Sequence, residues 1–187
     1  PVVLVFNKMD TYTEDELAEI AYMKSIYEAL NLPCYEISCF DEDDINEIAA
    51  LMKGKVSMFS GHSGVGKSTL LNALSPNLNL RTAEISAQHQ QGQHTTTYAE
   101  MFDLTEEVRI IDTPGIKGFG VVDMAPEELG NYFTEFYAIK GQCKFNNCLH
   151  VDEPHCAIKA GVDDESIAPS RYESYLQLLE QDTPYRN

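Results

Sequence analysis

Apolar residues fall in short runs and spaced stripes along the first sixty positions, separated by polar breaks. Residues 2–6 form a five-residue apolar run that stops at Asn7-Lys8-Met9-Asp10. Such a run predicts a strand buried on both faces, as in a parallel sheet, and away from a solvated edge. Thr13 and Glu16 have capping-box spacing. Leu17, Ile20, Ala21, Ile26, Tyr27 and Leu30 then make a stripe that ends before Pro33, so a helix is expected over about 14–30. Residues 34–38 read as a second short strand. Carboxylates at positions 41–44 suit the start of a helix carrying Ile45, Ile48, Ala49, Leu51 and Met52, because the helix dipole favours acids there.

The middle reads as strand 55–60, glycine loop 61–66 and helix 67–74, stopped by Pro76. Residues 75–97 are polar, with Gln88, Gln90, Gln91 and Gln93 and no apolar period, which predicts a long mobile loop of the functional kind. Residues 98–104 and 108–111 read as adjacent strands, and Asp112-Thr113-Pro114-Gly115 follows directly. Beyond residue 120 the texture changes. Pro126, Leu129, Tyr132, Phe133 and Phe136 predict one helix, and residues 169–180 with Tyr172, Leu176 and Leu179 predict another. A turn-rich stretch with three cysteines and two histidines lies between. The expected organisation is an α/β unit over 1–120 and a small, mostly α unit stapled by metal over 121–187.

Charge changes the picture in its distribution more than in its sum. The 187 residues carry 30 Asp and Glu against 13 Lys and Arg, a formal charge of −17. A surface this acidic on average repels a phosphate backbone. The balance is −9 over 1–54, −1 over 55–118 and −7 over 119–187, and the near-neutral middle holds the phosphate chemistry. At 43% hydrophobic and 23% charged, the composition is that of a folded chain. No long apolar run or basic leader is visible, so a membrane span and a secretory signal are not expected, and a cytoplasmic location is.

Gly61-His62-Ser63-Gly64-Val65-Gly66-Lys67-Ser68, with Thr69 next, fits G-x-x-x-x-G-K-[ST] between a strand and a helix. Glycines let backbone N–H groups turn inward around phosphates, and the helix presents its positive end to them. Lys67 is expected at the β- and γ-phosphates and Ser68 on Mg²⁺. Asn7-Lys8-Met9-Asp10 suits guanine. Asp10 can accept from ring N1–H and exocyclic N2–H₂, a donor pair that adenine lacks, while Asn7 braces the loop and the Lys8 stem lies along the base. Asp112 is expected to hold Mg²⁺, and the Gly115 N–H to meet the γ-phosphate. Thr95, Thr96 and Thr97 lie in the polar loop, where a hydroxyl, expected from Thr96, caps Mg²⁺ only while the γ-phosphate is present. Ile116 stands where many GTPases use a glutamine to orient water, so slow intrinsic hydrolysis is expected, with His94 as the local substitute.

Cys143, Cys148, His150 and Cys156 give C-x₄-C-x-H-x₅-C. Three thiolates and an imidazole suit a closed tetrahedral structural zinc with no place for a catalytic water. His155 is the rival imidazole. Five cysteines, two of them at 34 and 39, fit metal better than a disulfide framework.

The guanine motif at residue 7 precedes the phosphate loop at 61, so the motifs are circularly permuted. With L-R-T-A-E-I-S at 80–86, G-Q-H-T-T-T at 92–97 and the cysteine cluster, the chain closely resembles the ribosome small-subunit-dependent GTPases, the RsgA/YjeQ family, over practically its whole length. The resemblance implies a P-loop fold with permuted motifs and Mg²⁺-dependent hydrolysis of GTP to GDP and phosphate. It also implies stimulation by the small ribosomal subunit, a role in that subunit's late maturation, and contact with its rRNA. Despite the acidic average, Lys140, Lys144 and Lys159 offer local basic contacts to RNA. The resemblance favours His150 over His155 as zinc ligand, supports His94, and gives Ser38 a part in guanine binding, although Ser38-Cys39 stands where Ser-Ala is usual and Ala83 where glycine is common. An amino-terminal OB-fold and the strand and helix that precede the guanine strand are absent, so a partial chain is expected, acting as a monomer. Two rival readings are an ATP-using P-loop enzyme, in which residues 7–10 are only a turn, and a zinc-stapled adaptor with negligible turnover.

Overall fold

In the computed structural model, residues 1–62, 64–75, 100–104, 107–112 and 124–181 are described, without the side chains of Glu100, Phe102, Asp112 and Gln181. The chain divides into two units, Pro1–Lys117 and Gly118–Asn187.

The first unit alternates strands and helices: β1 (Leu4–Asn7), α1 (Glu14–Ala29), β2 (Cys34–Ile37), α2 (Glu42–Met52), β3 (Lys55–Met58), α3 (Lys67–Leu74), β4 (Glu100–Asp103) and β5 (Val108–Asp112). β1 and β2 pair in parallel, from Leu4 opposite Cys34 to Asn7 opposite Ile37. β3 pairs in parallel with β5, Lys55 opposite Val108 and Met58 opposite Ile111, and β4 joins β5 antiparallel. Short parallel strands with helical crossovers bring the carboxyl ends of β1 and β2 to one edge and those of β3 and β5 to another, and loops at such ends are where α/β folds bind ligands. Ile37, Ile48, Met52, Leu70, Leu104, Val108 and Ile110 form the core.

Local signals account for the helix starts. Thr13 caps α1, its hydroxyl accepting the Glu16 N–H at 3.4 Å while Glu16 accepts the Thr13 N–H at 2.8 Å. Asp41 caps α2 by accepting the Asp43 and Asp44 N–H groups. Two expectations need correction. β1 is half-buried along its length, with β2 its only strand partner among the described residues, instead of being enclosed on both faces. Of the apolar stripe on α1 only Ile20 is buried, and Ala21 is exposed. A helix of 16 residues, roughly 24 Å long, overhangs a sheet of two four-residue strands and cannot bury its whole face on it.

The second unit is helical: α4 (Pro126–Leu129), a 3₁₀ turn (Gly130–Tyr132), α5 (Thr134–Ile139), a second 3₁₀ turn (Lys140–Gln142), α6 (Ala157–Asp163) and α7 (Pro169–Gln181). The single helix expected from Pro126 through Phe136 is broken. It tightens at Gly130 and becomes extended at Phe133, with φ −96° and ψ 108°, before α5 begins. Gly130 lies against His150, and a Cβ there would stand 3.3 Å from Nε2, so the break lets the backbone approach the imidazole. α6 carries little helical signal in the sequence, because it has only seven residues, follows Cys156 without a side-chain cap and contains Gly161. Leu129, Phe133, Phe136, Ile158, Ile167 and Tyr175 pack around Cys148 and Cys156. Phe133 meets the Tyr175 ring edge-on at 5.6 Å, and Arg171 lies over Phe133 while pairing Glu135 at 2.7 Å. No helix among the described residues is long and apolar enough to cross a membrane.

Candidate functional site

Three loops separated in sequence meet in the first unit. The guanine-type loop leaves β1 through Asn7, and its Nδ2 donates to the carbonyl of Val65 in the phosphate loop at 2.9 Å, across 58 positions. Asn7 Oδ1 accepts the Lys8 N–H at 2.8 Å and the Cys39 thiol at 3.2 Å. Lys8 sits in the left-handed region at φ +71°, uncommon for a side-chain-bearing residue. The conformation is over-determined, because the Lys8 carbonyl also accepts the Thr11 N–H and hydroxyl at 2.9 and 2.8 Å. Lys8 and Asp10 are exposed. Ser38 is buried at the end of β2, its N–H held by Asp44 Oδ2 at 2.8 Å and its hydroxyl accepting the Phe40 N–H at 3.2 Å.

The phosphate-type loop spans β3 and α3. Gly64 and Gly66 take φ of +87° and +98°, where other residues are strained. A Cβ on Gly66 would collide with Asn7 Nδ2, so this glycine also admits the guanine-type loop. Lys67 Nζ donates to the His62 carbonyl at 2.7 Å and to that of Gly61, which holds the ammonium over the loop. α3 begins at Lys67 after Gly66, which offers no side-chain cap, an arrangement that suits an anion at the helix start. Gly61, His62, Gly64, Val65, Ser68 and Thr69 are exposed around it. The register of β3 with β5 puts Asp112 one position past the Met58–Ile111 pair, at the edge where the phosphate-type loop starts. Ser68 is exposed, and its hydroxyl is an oxygen ligand of the kind a hard cation takes. Ser63, His94, Thr95, Thr96, Thr97, Gly115 and Ile116 lie outside the described residues, as does the side chain of Asp112.

In the second unit the ligand atoms of Cys143, Cys148, His150 and Cys156 lie within 4.8 Å of one another. His150 Nδ1 is 3.7 Å from Cys143 Sγ and 3.4 Å from Cys156 Sγ. A tetrahedral zinc with bonds of about 2.3 Å to sulfur and 2.0 Å to nitrogen separates such atoms by about 3.5 Å, so the donor set fits that ion. Burial pushes the Cys148 thiol up to about 12 and the His150 imidazole below its usual value, so the buried cluster resists charging unless a cation offsets the thiolates. His155 is exposed and outside the cluster.

The knuckle is held from behind by groups that the sequence did not single out. The Tyr175 hydroxyl donates to the Leu149 carbonyl at 2.7 Å and the Tyr172 hydroxyl to that of His150 at 2.6 Å. Glu153 accepts the Leu149 and Val151 N–H groups at 2.8 and 3.0 Å. These contacts fix His150 at φ +61° with Nδ1 toward the sulfurs. Tyr172 was visible only as an apolar-stripe residue, and Asp44 only as one acid among four at a helix start. Their roles depend on which backbone atoms lie beside them.

The RsgA GTPase family model matches residues 1–122. The small ribosomal subunit biogenesis GTPase RsgA of Flavobacterium johnsoniae is 57% identical over 180 residues, 96% of this chain and 55% of its own length. That of Bacteroides fragilis is 50% identical over 180 residues, 96% of this chain and 58% of its own. Among solved structures, YjeQ from Thermotoga maritima matches with a TM-score of 0.78 and 39% identity, over 98% of this chain and 60% of that one. YloQ, a circularly permuted GTPase, matches at 0.73 and 30%, over 96% and 56%. The chain thus spans just over half the length of the curated relatives it matches. The expected α/β class with permuted motif order is borne out by these neighbours and by the strand and helix order. On the family model and on these identities, the chain belongs to the RsgA GTPase family.

Proposed function

We propose that this chain carries the nucleotide-hydrolysing part of a GTPase that converts GTP to GDP and phosphate and acts in late maturation of the small ribosomal subunit, which stimulates it. The observation that carries the guanine assignment is the Asn7 hydrogen bond to Val65. It supports one nucleotide spanning both loops, with the base at Asp10 and the phosphates over residues 61–69, and it disfavours the reading of residues 7–10 as an unrelated turn. The names of the relatives support the ribosomal partner.

Residue roles follow the chemistry of each group. Asp10 accepts the two guanine N–H donors while the Lys8 stem covers the base, and Ser38 supports the base from its buried loop. Backbone N–H groups of residues 61–69 surround the phosphates, and Lys67 exchanges its carbonyl partners for β- and γ-oxygens. Ser68, Asp112 and Thr96 hold Mg²⁺, which supplies charge neutralisation on the phosphates when bound. Gly115 contacts the γ-phosphate, and His94 orients the attacking water in place of the side chain that Ile116 lacks. Residues 1–120 form the GTPase part. Residues 121–187 form a part folded around zinc held by Cys143, Cys148, His150 and Cys156. The protein works as a cytoplasmic monomer that contacts rRNA.

Turnover of GTP by the intact protein, with and without small subunits and against excess ATP, tests this reading. Slow Mg²⁺-dependent hydrolysis, accelerated by small subunits and indifferent to ATP, is the expected result. Effective competition by ATP would establish the ATP-using enzyme instead, and no turnover even on subunits would leave the zinc-stapled adaptor.

A further inference from the structure

The Asn7 amide is fixed on both sides, and the residue that completes the arrangement lies outside residues 7–10 and 61–69. An amide side chain has two orientations that differ by exchange of oxygen and nitrogen, and its neighbours decide between them. Here two donors converge on Oδ1, the Lys8 N–H at 2.8 Å and the Cys39 thiol at 3.2 Å, while Nδ2 faces the Val65 carbonyl at 2.9 Å. Exchanging the ends would set NH₂ against the Lys8 N–H and oxygen against the Val65 carbonyl, and would leave the thiol only its weak acceptor role. The Lys8 N–H belongs to the same loop as Asn7 and moves with it. Cys39 follows β2 and is, among the described residues, the donor on Oδ1 that comes from another loop. Its thiol is held above its ordinary value, chiefly by burial and also by Asp10, so at neutral pH it keeps the proton it donates. Gly66 makes room for this contact, since its missing Cβ is where Nδ2 passes.

We propose that Cys39 is a positioning residue for nucleotide binding, whose thiol locks the Asn7 amide in the orientation that joins the guanine loop to the phosphate loop. This rests on the guanine reading above. An alanine at position 39 would supply no such donor, so the thiol ties a third loop to the other two.

The test is the affinity of the intact protein for a fluorescent GDP analogue, with ADP as competitor and melting temperature as a check on folding. Cys39→Ala is expected to weaken binding about three- to tenfold, the worth of one modest hydrogen bond. Cys39→Ser, which restores a donor, is expected to bind within about twofold of the parent. In an Asn7→Ala background Cys39→Ala is expected to change nothing further, because the partner is already gone. Cys39→Val carries the same comparison if the alanine variant does not fold. Unchanged affinity in Cys39→Ala, a serine variant as weak as alanine, or a full effect in the Asn7→Ala background would each overturn the proposal and leave the guanine reading standing. A parent protein that binds ADP as well as GDP would overturn both.

Discussion

The two candidate sites handle their chemistry in opposite ways. In the first unit the residues that would meet the nucleotide are mostly exposed, come from three loops and are held through backbone atoms, as with Lys67 on the carbonyls of Gly61 and His62. In the second unit Cys148, His150 and Cys156 are buried beneath an aromatic cluster, and the tyrosines of α7 hold the carbonyls on either side of the His150 backbone N–H. An exposed site of separate loops suits a ligand that arrives and leaves. A buried site shared with the core suits one that stays, since removing it leaves sulfur and nitrogen groups without partners in a dry interior.

The largest expected effect separates the two directly. Chelating the metal, or replacing Cys156 by serine, is expected to abolish the cooperative melting of the second unit, since zinc binding supplies on the order of 10 kcal/mol to such a fold. Circular dichroism and zinc release would show this, and nucleotide binding is expected to persist. Loss of both together would erase the contrast. Lys67→Ala is next, with nucleotide affinity expected to fall about 10- to 100-fold from loss of a charge-assisted contact, measured by fluorescence titration. A drop in melting temperature like that of zinc removal would place Lys67 in the core economy of the fold instead. Gly66→Ala combines strain at φ +98° with collision at Asn7. It is expected to cost about 1–3 kcal/mol in stability, with weaker nucleotide binding.

Smaller effects sharpen the second site. Gly130→Ala is expected to cost about 1 kcal/mol and to speed zinc loss to a chelator, because its Cβ would sit 3.3 Å from His150 Nε2. Glu153 gives the smallest effect. Burial pushes its carboxyl up, but the N–H groups of Leu149, Glu153 and Val151 together outweigh that and hold it below its ordinary 4.5. A carboxyl depressed on folding contributes stability that is present above about pH 4.5 and is lost as pH falls through the folded value. Glu153→Gln should therefore be less stable than the parent at neutral pH, with the gap closing as pH falls below 4.5 through the lowered folded value. A gap in melting temperature that does not depend on pH would show that the charge is not what holds the knuckle.

Much of this was legible in one dimension because it depends on local chemistry. Thr13 with Glu16, the Gly61-to-Ser68 string and the cysteine spacing each encode contacts made within a few positions, and the strand and helix order of the first unit follows from runs and stripes. What the linear pattern missed are contacts chosen by packing. The periodicity of residues 126–136 looked continuous because it cannot register that Gly130 must yield to an imidazole twenty positions away. The apolar stripe of α1 gave no sign that the sheet beneath it is too narrow to cover it.

The sequence by itself determined the family and the permuted order of the motifs, and it nominated the groups that would meet phosphate, guanine and zinc. Those are properties of residue type and spacing. Only the tertiary structure decided that Asn7 reaches Val65, that Cys39 and Gly66 share that contact, and that Tyr172, Tyr175 and Glu153 hold His150 toward the sulfurs. A hydrogen bond has a range of about 3 Å, so only the folded chain can say which distant residues come within it.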